Sequence, residues 1–149
     1  MKGNQLSPNR IGTLPTMAAA PRVLVAEDSA PVLLLITRTM EAIGCEVVGV
    51  TDGMSAFEEG LKGGYDLCLL DIFLPGMLGT EVLARWSEEG VTHKTIVISS
   101  TDDEDVTVRC FESGAVDYIE KPFNVRELQL RVRLHLRTTG HRPEASGLK

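Results

Sequence analysis

Five short apolar runs punctuate this chain: Val23 to Ala26, Val47 to Val50, Leu67 to Leu70, Ile96 to Ile98, and Val116 to Ile119, the last interrupted by Asp117. Runs this short, apolar nearly throughout and separated by stretches with helical spacing, suit strands that are covered on both faces. Strand and helix in alternation predict an α/β domain, a doubly wound parallel sheet of five strands with five helices on its two faces. The 149 residues make one such domain with some sequence to spare.

The helical stretches carry their own start and stop signals. The first begins near Pro31, which is tolerated in a first turn, with Ser29 as a candidate cap. Val32, Leu35, Ile36, Thr39, Met40 and Ile43 then form one predicted buried stripe, which Gly44 ends. A short helix is expected over Met54 to Leu61, a third over Thr80 to Glu89 with Val82, Leu83 and Trp86 facing inward, a fourth over Glu104 to Glu112, and a fifth over Val125 to Arg137. Residues 1–20, with Pro8, Pro15 and no apolar periodicity, read as a disordered leader, residues 21–138 as the folded domain, and residues 139–149 as a flexible tail.

Composition narrows the class. A formal charge of −6 and a pI near 5.1 argue against direct nucleic-acid binding, which needs clustered Lys and Arg. Cys45, Cys68 and Cys110 are odd in number and set among apolar or helical residues, so they read as reduced thiols in a cytoplasmic protein. His93, His135 and His141 lie apart from one another and from the cysteines, which argues against a zinc site. No apolar run approaches the roughly 20 residues of a membrane helix.

The chemistry sits where strands end. The first strand runs into Glu27-Asp28, the third into Asp71, the fourth into Ser99-Ser100-Thr101, and the fifth into Lys121-Pro122. In open α/β sheets ligands bind beyond the carboxyl ends of the strands. If strands one, three, four and five are neighbours, three carboxylates, hydroxyls and one lysine share a pocket. Like charges ~4 Å apart repel by roughly 4 kcal/mol at an effective dielectric near 20, so three acids together call for cations. Lys121 is one, and an all-oxygen donor set with few ligands points to Mg²⁺ as the other.

Glu27-Asp28, Asp71 followed by Pro75 and Gly79, Ser99 after an apolar strand, and Tyr118-Ile119-Glu120-Lys121-Pro122-Phe123 occur in an order that resembles the response-regulator receiver domain of bacterial two-component signalling. The resemblance covers roughly Arg22 to Arg137. It implies a flavodoxin-like, chemotaxis-regulator-like sheet with strand order 2-1-3-4-5. It also implies that Asp71 is a phosphoacceptor, charged by a phosphohistidine on a histidine kinase or histidine phosphotransfer protein. By the same resemblance Asp28, Asp71 and the backbone carbonyl of Phe73 ligate Mg²⁺, and Glu27 acts mainly through metal-bound water. Lys121 and Ser99 would hold phosphoryl oxygens, Ser99 and Tyr118 would switch the surface of the fourth helix, fifth strand and fifth helix, and the Lys121–Pro122 bond would be cis. Such a domain is a signalling module rather than an enzyme, acting on a protein target or a linked output module.

Some residues depart from that pattern. Ser99 stands where threonine is more usual, and Phe73 places a bulky ring two residues after the phosphoacceptor. Leu33 and Leu34 lie off the predicted stripe of the first helix and are expected to be exposed, as a partner-docking patch or as scattered surface residues. Arg131 and Arg133 beside Leu130 and Leu134, with Asp117 and Glu127, partly resemble the charged face of receivers that dimerise on phosphorylation, but Thr107 stands where a basic residue belongs. The acidic run Asp102 to Asp105 reads as a solvated helix start. The rival readings are an Asp-nucleophile phosphatase, which would need a second carboxylate at position 73, a nucleotide or flavin binder, which would need glycines where Glu27-Asp28 stand, and a binding module independent of phosphorylation.

Overall fold

A computed structural model of the chain describes residues 19–137; the tail expected over 139–149, and all of the expected leader except residues 19 and 20, lie outside the described residues. The elements alternate: β1 (Arg22–Ala26), α1 (Ala30–Glu41), β2 (Glu46–Val50), α2 (Gly53–Leu61), β3 (Leu67–Asp71), α3 (Gly79–Glu88), β4 (Lys94–Ser99), α4 (Glu104–Glu112), β5 (Asp117–Glu120) and α5 (Val125–Arg137). All pairings are parallel and the order is β2-β1-β3-β4-β5. The central strand β3 is buried at every residue, as its unbroken apolar run requires.

Because successive strand residues point to opposite faces, the sheet divides the core in two. Leu24, Cys68, Leu70 and Val97 meet Ala56 of α2, Val82 and Trp86 of α3, and Cys110 of α4. Val25, Leu69, Ile96, Ile98 and Ile119 meet Ile36 and Met40 of α1 and Leu128 and Val132 of α5. The three cysteines are buried free thiols. Trp86 is a core residue, its indole N–H donating to the Phe57 carbonyl at 3.1 Å while its ring lies where a side chain at Gly60 would sit.

Helix α1 corrects two expectations. Ser29 stands at the N-cap as expected, but its side chain makes no cap bond; its backbone N–H donates to the Glu27 carboxylate at 3.0 Å. The buried stripe holds at Ile36, Thr39 and Met40 but not at Leu35, which is 46% exposed beside Leu34 at 51%, while Leu33, expected outside, is half-buried. The physical reason lies on β2. Gly49 leaves a recess that Leu33 fills, since a Cβ there would stand 3.2 Å from the leucine's Cδ1, and filling it turns Leu35 outward.

At the far end of the sheet His93 stands edge-on to Trp86, ring centroids 4.6 Å apart, with its buried Nε2 lacking a protein hydrogen-bond partner. Burial pushes its pKa from 6.5 down to about 4. Above pH 6.5 the imidazole is neutral in folded and unfolded chains and contributes no pH dependence. As pH falls from 6.5 towards 4 the unfolded chain takes up a proton that the folded one resists, so stability declines by up to about 3 kcal/mol. Denaturant midpoints measured between pH 7 and 4 should fall less steeply in His93→Gln than in the parent; parallel curves would contradict this.

Candidate functional site

The pairing of β1, β3, β4 and β5 brings their carboxyl ends to one edge. Ala26 lies opposite Leu70, so Glu27 and Asp71 follow on adjacent strands; Asp71 lies opposite Ile98, and Ser99 opposite Glu120. The Lys121 backbone N–H donates to the Ser99 carbonyl at 2.8 Å, which carries the lysine to the same edge. Its Nζ bridges Glu27 Oε1 at 2.6 Å and Asp71 Oδ2 at 3.0 Å. Asp71 Oδ1 accepts the Phe73 backbone N–H at 3.2 Å.

Glu27 and Asp71 are buried and Asp28 is exposed, and one carboxylate oxygen from each lies within 4.8 Å of the others. Burial raises the Glu27 pKa above the usual carboxylate range despite the hydrogen bonds from Lys121 and Ser29 that oppose it. For Lys121 burial acts downward, but the bonds to Glu27 and Asp71 outweigh it and hold the ammonium above its ordinary pKa. Crowded anionic oxygens with one resident ammonium form a donor set for a hard divalent cation. The Lys121–Pro122 bond is cis.

The two residues expected to switch lie side by side. Ser99 is fully buried, and its Oγ accepts the Thr101 backbone N–H at 3.3 Å. The half-buried Tyr118 packs against the core face of α2, α3 and α4, and its phenol donates to the Thr101 carbonyl at 2.9 Å. Its pKa is raised by burial, which outweighs the opposing effect of hydrogen bonding with the Thr107 and Ser99 hydroxyls.

Around the acids lies an apolar rim. Phe73 and Leu78 are each half exposed. Beside Lys121 runs a groove of about 430 Å³ lined by Val32, Leu35, Ser100, Lys121, Pro122 and Phe123. Leu35 and Ser100 were not singled out by sequence: spacing put Leu35 in the core, and Ser100 is one hydroxyl among three. Further round, part of the α5 charge is paired within the domain. Arg131 pairs with Asp117 at 2.8 Å and with Glu127 at 3.0 Å, and His135 lies 3.1 Å from Asp117, while Leu130 and Leu134 face outward.

The doubly wound parallel sheet gathers three carboxylates, a hydroxyl and a lysine at its carboxyl edge, the place where open α/β sheets bind their ligands. The chain belongs to the response regulator receiver domain family, whose profile matches residues 23–133, and is thus a receiver domain of two-component signal transduction. It is 36% identical over 116 residues to the transcriptional regulatory protein ResD of Bacillus subtilis, covering 78% of this chain and 48% of ResD. It is 35% identical over 117 residues to the transcriptional regulatory protein SrrA of Staphylococcus aureus, covering 78% and 48%. The chain therefore spans about half the length of these relatives. Among solved structures, the CheY-like receiver domain protein of Methanospirillum hungatei superimposes with a TM-score of 0.78 at 26% identity, over 83% of this chain and 98% of that one.

Proposed function

We propose that Asp71 accepts a phosphoryl group from a phosphohistidine on a histidine kinase or phosphotransfer protein. One observation carries the reading: a buried Asp71, ion-paired to Lys121, shares a strand-end pole with Glu27 and Asp28. An Asp71 carboxylate oxygen would bond to phosphorus as the phosphorus–nitrogen bond breaks, its electron pair leaving with the imidazole, to give an acyl phosphate. Glu27, Asp28, Asp71 and the Phe73 carbonyl would hold Mg²⁺, which when bound offsets charge on the phosphoryl oxygens. Lys121 would leave its carboxylate partners to pair with one phosphoryl oxygen, and the Ser99 hydroxyl would donate to another. The switch then follows from local charge: Ser99 drawn towards Asp71 and Tyr118 beside it bias the surface made by α4, β5 and α5. The domain acts as a cytoplasmic signalling switch that assists only its own phosphotransfer and dephosphorylation. Its output is a protein target or a linked module, and the names of its relatives favour one that regulates transcription. A phosphorylation-dependent dimer is less favoured, because Arg131 and Asp117 already pair within the chain. The reading is tested by mass spectrometry after incubation with acetyl phosphate or phosphoramidate. A covalent phosphoryl adduct that requires Mg²⁺ supports it, and no adduct overturns it.

Phe73 bears on the lifetime of that adduct. Its half-exposed ring beside the acyl phosphate would restrict the approach of water. Phe73→Asn is expected to shorten the phosphoryl half-life several-fold, read by loss of the adduct with time; an unchanged half-life removes this role.

The docking surface for the donor is proposed at Leu34 and Leu35 rather than at the expected Leu33 and Leu34, because Leu33 is taken up by Gly49. Leu34→Glu with Leu35→Glu should slow transfer from a phosphohistidine protein at least tenfold and leave phosphorylation by acetyl phosphate unchanged. Equal loss with both donors would count against docking.

A further inference from the structure

Residues Ile72 to Leu78 carry the chain from β3 to α3, with Phe73 near their start. A tight turn, closed by the Leu74 N–H on the Ile72 carbonyl at 3.0 Å, encloses Phe73, and the buried side chains of Leu74 and Met77 pin the segment to the core. A further hold comes from another element. Gly53, the first residue of α2, donates its backbone N–H to the Pro75 carbonyl at 3.0 Å. Gly53 is buried, and a Cβ built on it would lie 1.8 Å from the Met77 carbonyl oxygen and 2.6 Å from its carbonyl carbon. The backbones of α2 and of the loop after Asp71 therefore touch at a place where no side chain fits.

We infer that Gly53 is a positioning residue for the candidate metal site: by letting the first turn of α2 bear on Pro75 and Met77, it fixes the loop that aims the Phe73 carbonyl. The inference rests on the proposed binding of Mg²⁺ by Asp71 and Phe73. Nothing local to α2 demands a glycine here. Its backbone lies outside the left-handed region, and glycine surrenders more chain entropy in a helix than alanine does. The demand comes from the Met77 carbonyl, which has no rotamer to change, so a Cβ at position 53 must displace either the helix or the loop. The helix start is held: Asp52 accepts the Ser55 N–H at 2.8 Å and the Ser55 hydroxyl at 2.9 Å, and Ala56 is fully buried. The loop yields first, because Phe73, Pro75 and Gly76 are exposed. Gly60 supplies the contrast within the same helix. A Cβ there would meet the Trp86 ring at 2.5 Å, a core contact at the opposite end of the sheet from Asp71.

Amide NMR spectra of the full chain titrated with Mg²⁺ alone, with no phosphoryl donor, read the metal site directly. In the parent, the Asp71 and Phe73 amides should shift, and the Gly53 amide, which offers no ligand, should shift with the same midpoint through its bond to Pro75. Gly53→Ala should weaken Mg²⁺ binding about tenfold, the size of effect seen when a group that orients a metal's ligands is lost, and Gly60→Ala should leave the midpoint within about twofold of the parent. Both variants should melt at lower temperature, so a role confined to packing would not separate them. An unchanged midpoint in Gly53→Ala, an equal weakening in Gly60→Ala, or a parent Gly53 amide that stays still while Phe73 moves overturns the inference alone. The parent titration decides even where Gly53→Ala does not fold. A parent chain in which neither Asp71 nor Phe73 responds to Mg²⁺ overturns the metal reading and the inference with it.

Discussion

Asp71→Asn protein incubated with acetyl phosphate or phosphoramidate and Mg²⁺ is expected to form no phosphoryl adduct under conditions that label the parent chain. The substitution conserves shape, so its effect reports chemistry. An amide oxygen carries no full negative charge with which to attack phosphorus, and the neutral side chain withdraws one of the three carboxylates from the cation's donor set. Folding should survive, because Lys121 retains Glu27 at 2.6 Å, and the amide oxygen can still accept the Phe73 N–H that Asp71 Oδ1 accepts at 3.2 Å. Intact mass spectrometry reads the adduct and far-UV circular dichroism the fold. An adduct of undiminished yield in Asp71→Asn would place the acceptor elsewhere and remove the foundation of the proposed function.

Gly79→Ala is expected to lower stability by about 2–3 kcal/mol and to slow phosphorylation by small donors. A Cβ at position 79 would lie 2.3 Å from the Asp71 carbonyl oxygen and 2.9 Å from Ile72 Cα. Both obstacles are backbone, so no rotamer change relieves the overlap. The Gly79 N–H is also bonded to the Ile72 carbonyl at 2.7 Å, which ties the start of α3 to the strand end that presents Asp71. Relief must therefore displace Asp71 itself, and that couples a stability loss to a loss of reactivity. Gly76→Ala is the contrast. At φ 82° it carries backbone strain of about 1–2 kcal/mol, but its Cβ would meet nothing within 4 Å. It should destabilise the domain without the same loss of phosphorylation rate. Thermal melts and small-donor labelling of the two variants test this, and equal rates in both would break the link between Gly79 and the site.

The candidate site was largely legible because its residues adjoin strand ends, and apolar strands reveal themselves locally. Leu67 to Leu70 required cover on both faces, and Asp71 followed it in the chain. Glu27, Asp28, Ser99 and Lys121 were located by the same means. What failed was the side-chain arrangement that depends on a neighbouring element. Leu33 and Leu35 exchanged their expected exposure because β2 carries a glycine beneath α1, and helical spacing alone carries no information about the surface opposite. Arg131 matched a charged outer face by composition, yet it pairs with Asp117 across β5 and α5. Thr101 read only as one of three hydroxyls that end the fourth strand, because its hydrogen-bond partners Ser99 and Tyr118 come from different elements.

Taken alone, the residues determined the order of strands and helices, the two-sided burial of the sheet and the chemical group at each strand end. These are properties of covalent adjacency and short-range periodicity. The tertiary structure decided which strand ends are neighbours and at what distance. Lys121 meets Glu27 across 94 residues and Asp71 across 50. Separations of that kind are settled by how the sheet closes its core, because the burial of β3 between β1 and β4 brings into ion-pair range groups that the chain itself holds far apart.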